Sequence, residues 1–154
     1  MRTTALILVL LGLSWPAAAA AQGWGPRVGV AVDPDLIQFG LHADLGDVSS
    51  HVSFQPNAEL GVGDDLTMLS LNLDIAYRFT SRWDVWSPYL GGGMGVHFIN
   101  YEDGFRDGDD TEAGAAVLGG IQRGLENGSR FFLETKLGIF DAPDVRFTAG
   151  WTFR

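Results

Sequence analysis

A two-residue alternation constrains this chain more than any other feature. From Leu69 to Phe79, the residues Leu69, Leu71, Leu73, Ile75, Tyr77 and Phe79 are apolar, while Ser70, Asn72, Asp74 and Arg78 between them are polar. Successive side chains of a strand point to opposite faces, so this spacing gives a strand one apolar face and one polar face. After Gln22 such runs recur between Gly, Pro, Asp or Asn residues, and no segment carries a helical period. The chain reads as all-β. The expected strands are Trp24 to Asp33, Leu36 to Leu45, Ser49 to Val62, Leu66 to Phe79, Val85 to Tyr101, Glu112 to Leu125, Ser129 to Phe140 and Val145 to Phe153.

Sorting every run by parity gives two unlike faces. One carries large apolar groups such as Val28, Val30, Phe39, Leu41, Leu60, Met94, Leu133, Leu137, Phe147 and Trp151. The other carries Arg27, Gln38, His42, Asp44, His51, Gln55, Asn57, Glu59, Asn72, Asp74, Arg78, His97, Gln122, Glu134, Lys136 and Arg146, interspersed with Gly29, Gly40, Gly91, Gly93, Gly95 and Gly150. In "EAGAAVLGGIQRGL" both parities are apolar, and Ile121 outward with Gln122 inward fits best. In a soluble sandwich the polar face would meet water, where glycine is a poor choice because it weakens a strand. Inside a barrel of about eight strands the space is narrow and must be filled by side chains, so small residues beside polar networks are expected. The charges agree: Arg27, Arg78, Lys136 and Arg146 balance Asp44, Glu59, Asp74 and Glu134. An unpaired buried charge costs several kcal/mol, so balance is what an ionic interior requires. Turning those charges to lipid would cost about 2–4 kcal/mol for each Arg or Lys near the midplane. The expected fold is an eight-stranded antiparallel up-and-down transmembrane β-barrel whose leucine face meets lipid. Strands of about ten residues, tilted by about 45°, rise on the order of 25 Å, the height of an outer-membrane apolar band. Trp24, Tyr77, Phe79, Trp83, Trp86, Tyr101, Trp151 and Phe153 fall near strand ends, as interfacial girdles would.

The N-terminus fits export. Arg2 precedes the apolar run "ALILVLLGL", and "AAAAA" offers a small-residue cleavage site, so residues 1–21 read as a secretory signal peptide and residues 22–154 as the mature domain. There is no cysteine, hence neither a disulfide framework nor a lipid-anchored cysteine. A formal charge of -9 lacks the basic footprint that a nucleic-acid partner requires.

The stretches "SPYLGGGMGVHF" (Ser87 to Phe98), "GSRFFLETKLGIF" (Gly128 to Phe140) and "VRFTAGWTFR" (Val145 to Arg154) resemble the small outer-membrane β-barrel proteins of Gram-negative bacteria, the OmpA, OmpX and opacity-protein type. The ending resembles that family's C-terminal assembly signal, apolar at every second position back from Phe153 through Trp151, Ala149, Phe147 and Val145, although Arg154 follows the phenylalanine. The resemblance implies an outer-membrane location, a monomeric barrel inserted by the barrel-assembly machinery through Phe147, Trp151 and Phe153, and no cofactor. Pro56 inside the third run departs from a regular strand, and a bulge or strand break there is expected.

If both termini are periplasmic, as the resemblance implies, the acid gathers at the opposite rim: Asp33, Asp35, Asp64, Asp65, Glu102, Asp103, Asp107, Asp109, Asp110, Glu112, Asp141 and Asp144, with Arg106 the only base. Carboxylates are hard ligands for divalent cations and could bridge to lipopolysaccharide phosphates; equally, Asp and Gly simply make soluble turns. Outer-membrane lipid and lipopolysaccharide are thus the expected partners. Three other classes compete. His51, Ser53 and Glu59 form a loose hydrolytic set of the lipid A deacylase type, but polar lining explains them more simply. His42 and His97 are candidate interior neighbours, better read as hydrogen-bonded fillers than as metal ligands. A soluble lipocalin-like carrier would need an apolar interior, and a barrel this narrow leaves no wide pore. The favoured reading is a structural or surface-interaction protein.

Overall fold

The computed structural model describes residues 22–64, 66–101, 108–140 and 143–154. Its strands are β1 (Gly23–Val32), β2 (Leu36–Asp44), β3 (Asp47–Ser49), β4 (Val52–Val62), β5 (Leu66–Arg78), β6 (Ser87–Tyr101), β7 (Gly108–Gly124), β8 (Arg130–Phe140) and β9 (Val145–Thr152). All pairings are antiparallel. β1 joins β9 and β2 joins β4, so the eight long strands close on themselves and leave no free sheet edge along the barrel wall. β3 is a three-residue arm on the start of β4. Two expected boundaries move. The third run is divided into β3 and β4 by a reversal in which His51 takes a left-handed φ of 72°. The sixth strand starts at Gly108, because β6 and β7 continue as a hairpin up to Tyr101↔Gly108, while β8 joins β7 only from Gly114.

The two prolines in β1 and β4 sit where their missing N–H groups do least harm. Pro26 pairs normally with Leu41 of β2. On the other flank the β1–β9 ladder stops at Arg27↔Gly150 and resumes in the same register at Trp24↔Phe153. Pro56 repeats the arrangement. Its pairing with Leu73 of β5 is unbroken, while the β2–β4 ladder stops at His42↔Asn57 and resumes where Leu45 N–H donates to Phe54 O at 3.0 Å. The expected irregularity at Pro56 is therefore a gap in one ladder, with no bulge against β5.

The faces divide by parity along the whole barrel. Leu73, Ile75 and Tyr77 are 48%, 51% and 45% exposed, while Asn72, Asp74 and Ala76 between them are 3%, 5% and 4% exposed. Phe39, Leu41, Met94, Leu137 and Phe147 join the exposed apolar set, and Arg27, Glu59, Lys136 and Arg146 the buried charged set. β7 follows the same rule, with Val117 exposed and Leu118 buried. A continuous apolar exterior of this extent is unstable in water and requires an apolar surrounding.

Both described chain ends lie at one end of the barrel, called the terminal end below; the β1–β2, β4–β5, β6–β7 and β8–β9 connections lie at the other, the loop end. Trp24, Trp83, Trp86 and Trp151 all gather at the terminal end. There Trp24 meets Phe153 with ring centroids 6.1 Å apart, Trp151 meets Phe131 at 4.8 Å, and Phe79 meets Tyr77 at 5.2 Å. The sequence suggested girdles at the strand ends; among the described residues the tryptophans lie only at the terminal end, and Tyr101, the one named candidate at the loop end, turns inward against Met68 and Ile99.

Candidate functional site

The interior is layered. At the loop end Ala31, Leu36, Met68 and Ile99 form an apolar cap, with Leu66 and Tyr101 packed against it. These residues share the inward parity of Ser70 and Asp74, so alternation assigns their direction; their departure from polarity was the missed signal. Below the cap lies an ionic layer of three cations and three carboxylates. Arg27 bridges two acids, with Nε 2.9 Å from Glu59 Oε1 and Nη2 donating to Glu134 Oε1 at 2.7 Å. Lys136 Nζ donates to Asp74 Oδ2 at 2.5 Å and lies 3.8 Å from Glu134 Oε1. Arg146 Nη1 reaches Glu59 Oε2 at 3.5 Å. Neutral donors complete the layer: Asn57 Nδ2 donates to Asp74 Oδ2 at 2.7 Å, Asn72 Nδ2 to Asn57 Oδ1 at 3.0 Å, and Tyr89 Oη to Glu134 Oε2 at 3.0 Å. Tyr89 also belongs to a second apolar layer with Ala76, Leu118 and Phe132, and the Arg27 guanidinium lies over the Phe132 ring at 5.7 Å.

Asp44 and Arg78 occupy a different place from the other charges of the inward set. Arg78 lines the terminal end of the interior, half-buried, near Arg130 and Gln122. Asp44 is paired there with Arg130, and its Oδ1 accepts from Gly46 N–H at 2.9 Å. Arg130 carries inward parity at the first position of β8, so the same counting that selects Glu134 and Lys136 would have found it.

Inward glycines make this packing feasible. A Cβ on Gly93 would lie 2.1 Å from Asp74 Oδ1, and one on Gly95 would lie 2.3 Å from Asn72 Oδ1. One on Gly40 would lie 2.8 Å from Glu59 Cγ, and one on Gly150 would lie 2.4 Å from the Phe132 ring. Each glycine is cross-strand from, or beside, a large interior side chain and leaves the volume that side chain occupies. The spaces left beside Asp74 and beside Arg78 hold no more than about 10 Å3, at or below what one water needs. Side chains therefore plug the lumen among the described residues.

The other candidate groups separate. His42 Nε2 pairs with Thr152 Oγ1 at 2.8 Å near the terminal end, whereas His97 Nδ1 pairs with Ser70 Oγ at 2.8 Å near the loop end. They are not neighbours, because β2 and β6 place them on opposite sides of the ionic layer. His51, expected inward, is exposed, since the left-handed reversal breaks parity ahead of β4, and its ring lies 6.0 Å from that of Tyr77. Ser53 is fully buried with Oγ donating to Ala76 O at 3.4 Å, and Glu59 is held by Arg27 and Arg146. These three residues form no nucleophile–base pair. At the rim, Asp33, Asp35, Asp64, Asp110 and Asp144 are exposed and Glu112 is half-buried on β7. Asp110 and Glu112 belong to the strand rather than to a loop; the Asp110 carboxylate accepts the Thr111 N–H at 2.7 Å. Asp109 is also in β7, while Asp65, Glu102, Asp103, Asp107, Asp141 and the residues 1–21 fall outside the described residues. Among the described residues no three metal-ligating side chains converge. Phe147 and Trp151 face outward on β9, and Phe153 bridges to Trp24 just beyond it.

A closed eight-stranded antiparallel barrel with an apolar exterior and a plugged ionic lumen is the fold of a small outer-membrane β-barrel protein. Solved structures agree. Neisserial surface protein A superposes with a TM-score of 0.65 at 15% identity, covering 84% of this chain and 93% of that one. The N-terminal β-barrel domain of Pseudomonas aeruginosa OprF superposes with a TM-score of 0.61 at 17% identity, covering 86% of this chain and 97% of that one. No family model and no curated protein matches the sequence.

Proposed function

We propose that this chain is an exported, monomeric structural barrel of a Gram-negative outer membrane, with a surface-interaction role confined to its loop end and no pore function. The observation that carries the reading is the ionic layer around Arg27 and Lys136, shut beneath the Met68 and Ile99 cap and enclosed by an apolar wall. A wall of exposed Leu, Ile and Phe suits lipid, and a lumen filled by paired charges passes no solute. Residues 1–21 serve as the export signal, and Phe147, Trp151 and Phe153 are the contacts for the barrel-assembly machinery. The acidic rim meets lipopolysaccharide through shared divalent cations. With no convergent set of ligands among its described residues, the rim acts as a diffuse negative surface rather than a chelating site.

Cell fractionation with a folded-versus-boiled gel shift tests the membrane reading, and planar-bilayer recording of the purified protein tests the sealed lumen. An outer-membrane band with a heat-dependent shift and no unitary conductance is expected. A soluble periplasmic protein, or a stable channel of defined conductance, would overturn the proposal. For the rim, Asp33→Asn, Asp35→Asn, Asp64→Asn and Asp144→Asn together should weaken magnesium-dependent association with lipopolysaccharide vesicles; unchanged association would overturn the rim's part in the proposal.

A further inference from the structure

The apolar exterior is not evenly filled. One outward register row runs Ile37, Val30, Phe147, Thr135, Gly119 and Leu90, from β2 through β1, β9, β8 and β7 to β6. A second row, one step nearer the terminal end, runs Val28, Ala149, Leu133, Ile121 and Pro88. Where the two rows bring the small groups Gly119, Thr135 and Ala149 together, the wall carries a groove of about 880 Å3. Leu90, Leu133, Phe147, Val28 and Val30 stand along it, and Phe79 and Trp83 mark its terminal end. Five inter-strand steps of about 4.8 Å make the first row about 24 Å long, and with strands tilted by about 45° it descends about 17 Å along the barrel axis. That descent is close to the half-thickness of a bilayer's hydrocarbon core, about 15 Å.

A cation stands just beyond the second row on the same outward face. Arg123 follows Ile121 by two residues, and its guanidinium lies over the Trp86 ring at 5.7 Å. Trp86 in turn meets Phe131, the cross-strand partner of Arg123, at 6.2 Å. Among the described residues Arg123 Nε has no hydrogen-bond partner, and neither Asp84 nor Glu126, exposed in the flanking connections, is ion-paired with this side chain. A guanidinium at the level of the tryptophan girdle, with an apolar groove leading from it into the membrane, offers anion and hydrocarbon contacts in the order in which a phospholipid presents them. We infer that the groove holds one glycerophospholipid, its phosphate against Arg123 and one acyl chain laid across Gly119, Thr135 and Ala149. This rests on the proposed outer-membrane setting, in which the terminal end lies in the periplasmic leaflet, the one built of glycerophospholipid. Gly119 supports the assignment. A Cβ there would lie 3.5 Å from Leu90 Cδ1 and 3.9 Å from Tyr89 O, which are ordinary contacts, so the packing that demands glycine at Gly93 and Gly95 does not demand it here. What this glycine provides is outward space, at the expense of strand stability.

Native mass spectrometry of the protein in a non-ionic detergent, titrated with dioleoylphosphatidylglycerol, reads the site, and the heat-dependent gel shift checks that each sample is a folded barrel. One lipid should be retained per chain, saturably. Dioleoylglycerol, which lacks the phosphate, should bind about tenfold or more weakly, the equivalent of one charged hydrogen bond, and Arg123→Gln should produce the same loss with the phospholipid. Gly119→Leu, which fills the groove from a position where a side chain fits, should also weaken retention while keeping the gel shift. Multiple adducts that never saturate would overturn the inference by showing annular lipid alone. So would equal retention of dioleoylglycerol, unchanged retention in either variant, preference for lipid A over phosphatidylglycerol, or a dimer that forms in place of the lipid adduct and gives the groove to a second copy. A heat-shifting barrel that retains no lipid refutes this inference and leaves the membrane reading standing, whereas a chain without the shift refutes both.

Discussion

Asp74→Asn tests the interior most directly. The Asp74 carboxylate accepts from Lys136 Nζ at 2.5 Å and from Asn57 Nδ2 at 2.7 Å, and Lys136 is 1% exposed. The amide keeps the shape and can still accept from Asn57, so the change removes one charge and little volume. It leaves the Lys136 ammonium with Glu134, which stands 3.8 Å away and is already engaged by Arg27 and Tyr89. Removing one member of a buried pair costs about 3–5 kcal/mol, mainly because the surviving charge stays desolvated. The partial contact with Glu134 places the expected loss at the lower end, about 3 kcal/mol. Urea unfolding in detergent micelles, followed by tryptophan fluorescence, reads it: at a slope of about 2 kcal/mol/M the midpoint falls by about 1.5 M. The decisive comparison is Asp74→Asn/Lys136→Met. With both charges gone the penalty disappears, so the double variant should recover to within about 1 kcal/mol of the parent. A double variant as unstable as the sum of the two single changes would refute the claim that pairing, rather than packing alone, holds this layer.

Three further outcomes follow from the same geometry. Gly93→Ala drives a methyl to 2.1 Å from Asp74 Oδ1, a side chain pinned by Lys136, and should lower stability by about 1–3 kcal/mol in the same unfolding assay. Leu73→Arg, on the exposed face opposite Pro56 and Met94, should cost about 2–4 kcal/mol in a bilayer-reconstituted unfolding experiment, whereas a soluble barrel would tolerate it. Phe153→Ala removes the outward ring that bridges to Trp24 at the closing β1–β9 seam. Pulse-chase gel shifts should show slowed assembly with little change in the final folded fraction.

Alternation alone determined the class of this fold. A period of two from β1 to β9, with glycine and balanced charge on one parity and bulky apolar groups on the other, admits few solutions, because a one-residue slip would turn every charge of Arg27, Asp74 and Lys136 toward lipid. Direction is thus local information, readable residue by residue, and it extended even to β7. Partners were not local. That Arg27 spans Glu59 and Glu134 depends on β1, β4 and β8 meeting across the lumen, at separations that alternation does not encode. The split of the charges into a central layer and an Asp44–Arg130 pair, and the parting of His42 from His97, depend on height along the barrel, which strand stagger and closure set. His51 turned outward because a left-handed residue resets parity, and turn geometry is weakly written in composition. The apolar cap arises where Ala31, Met68 and Ile99 come from three separate strand ends. The sequence determined which side of each strand meets lipid; only closure of the barrel decided which inward groups meet one another.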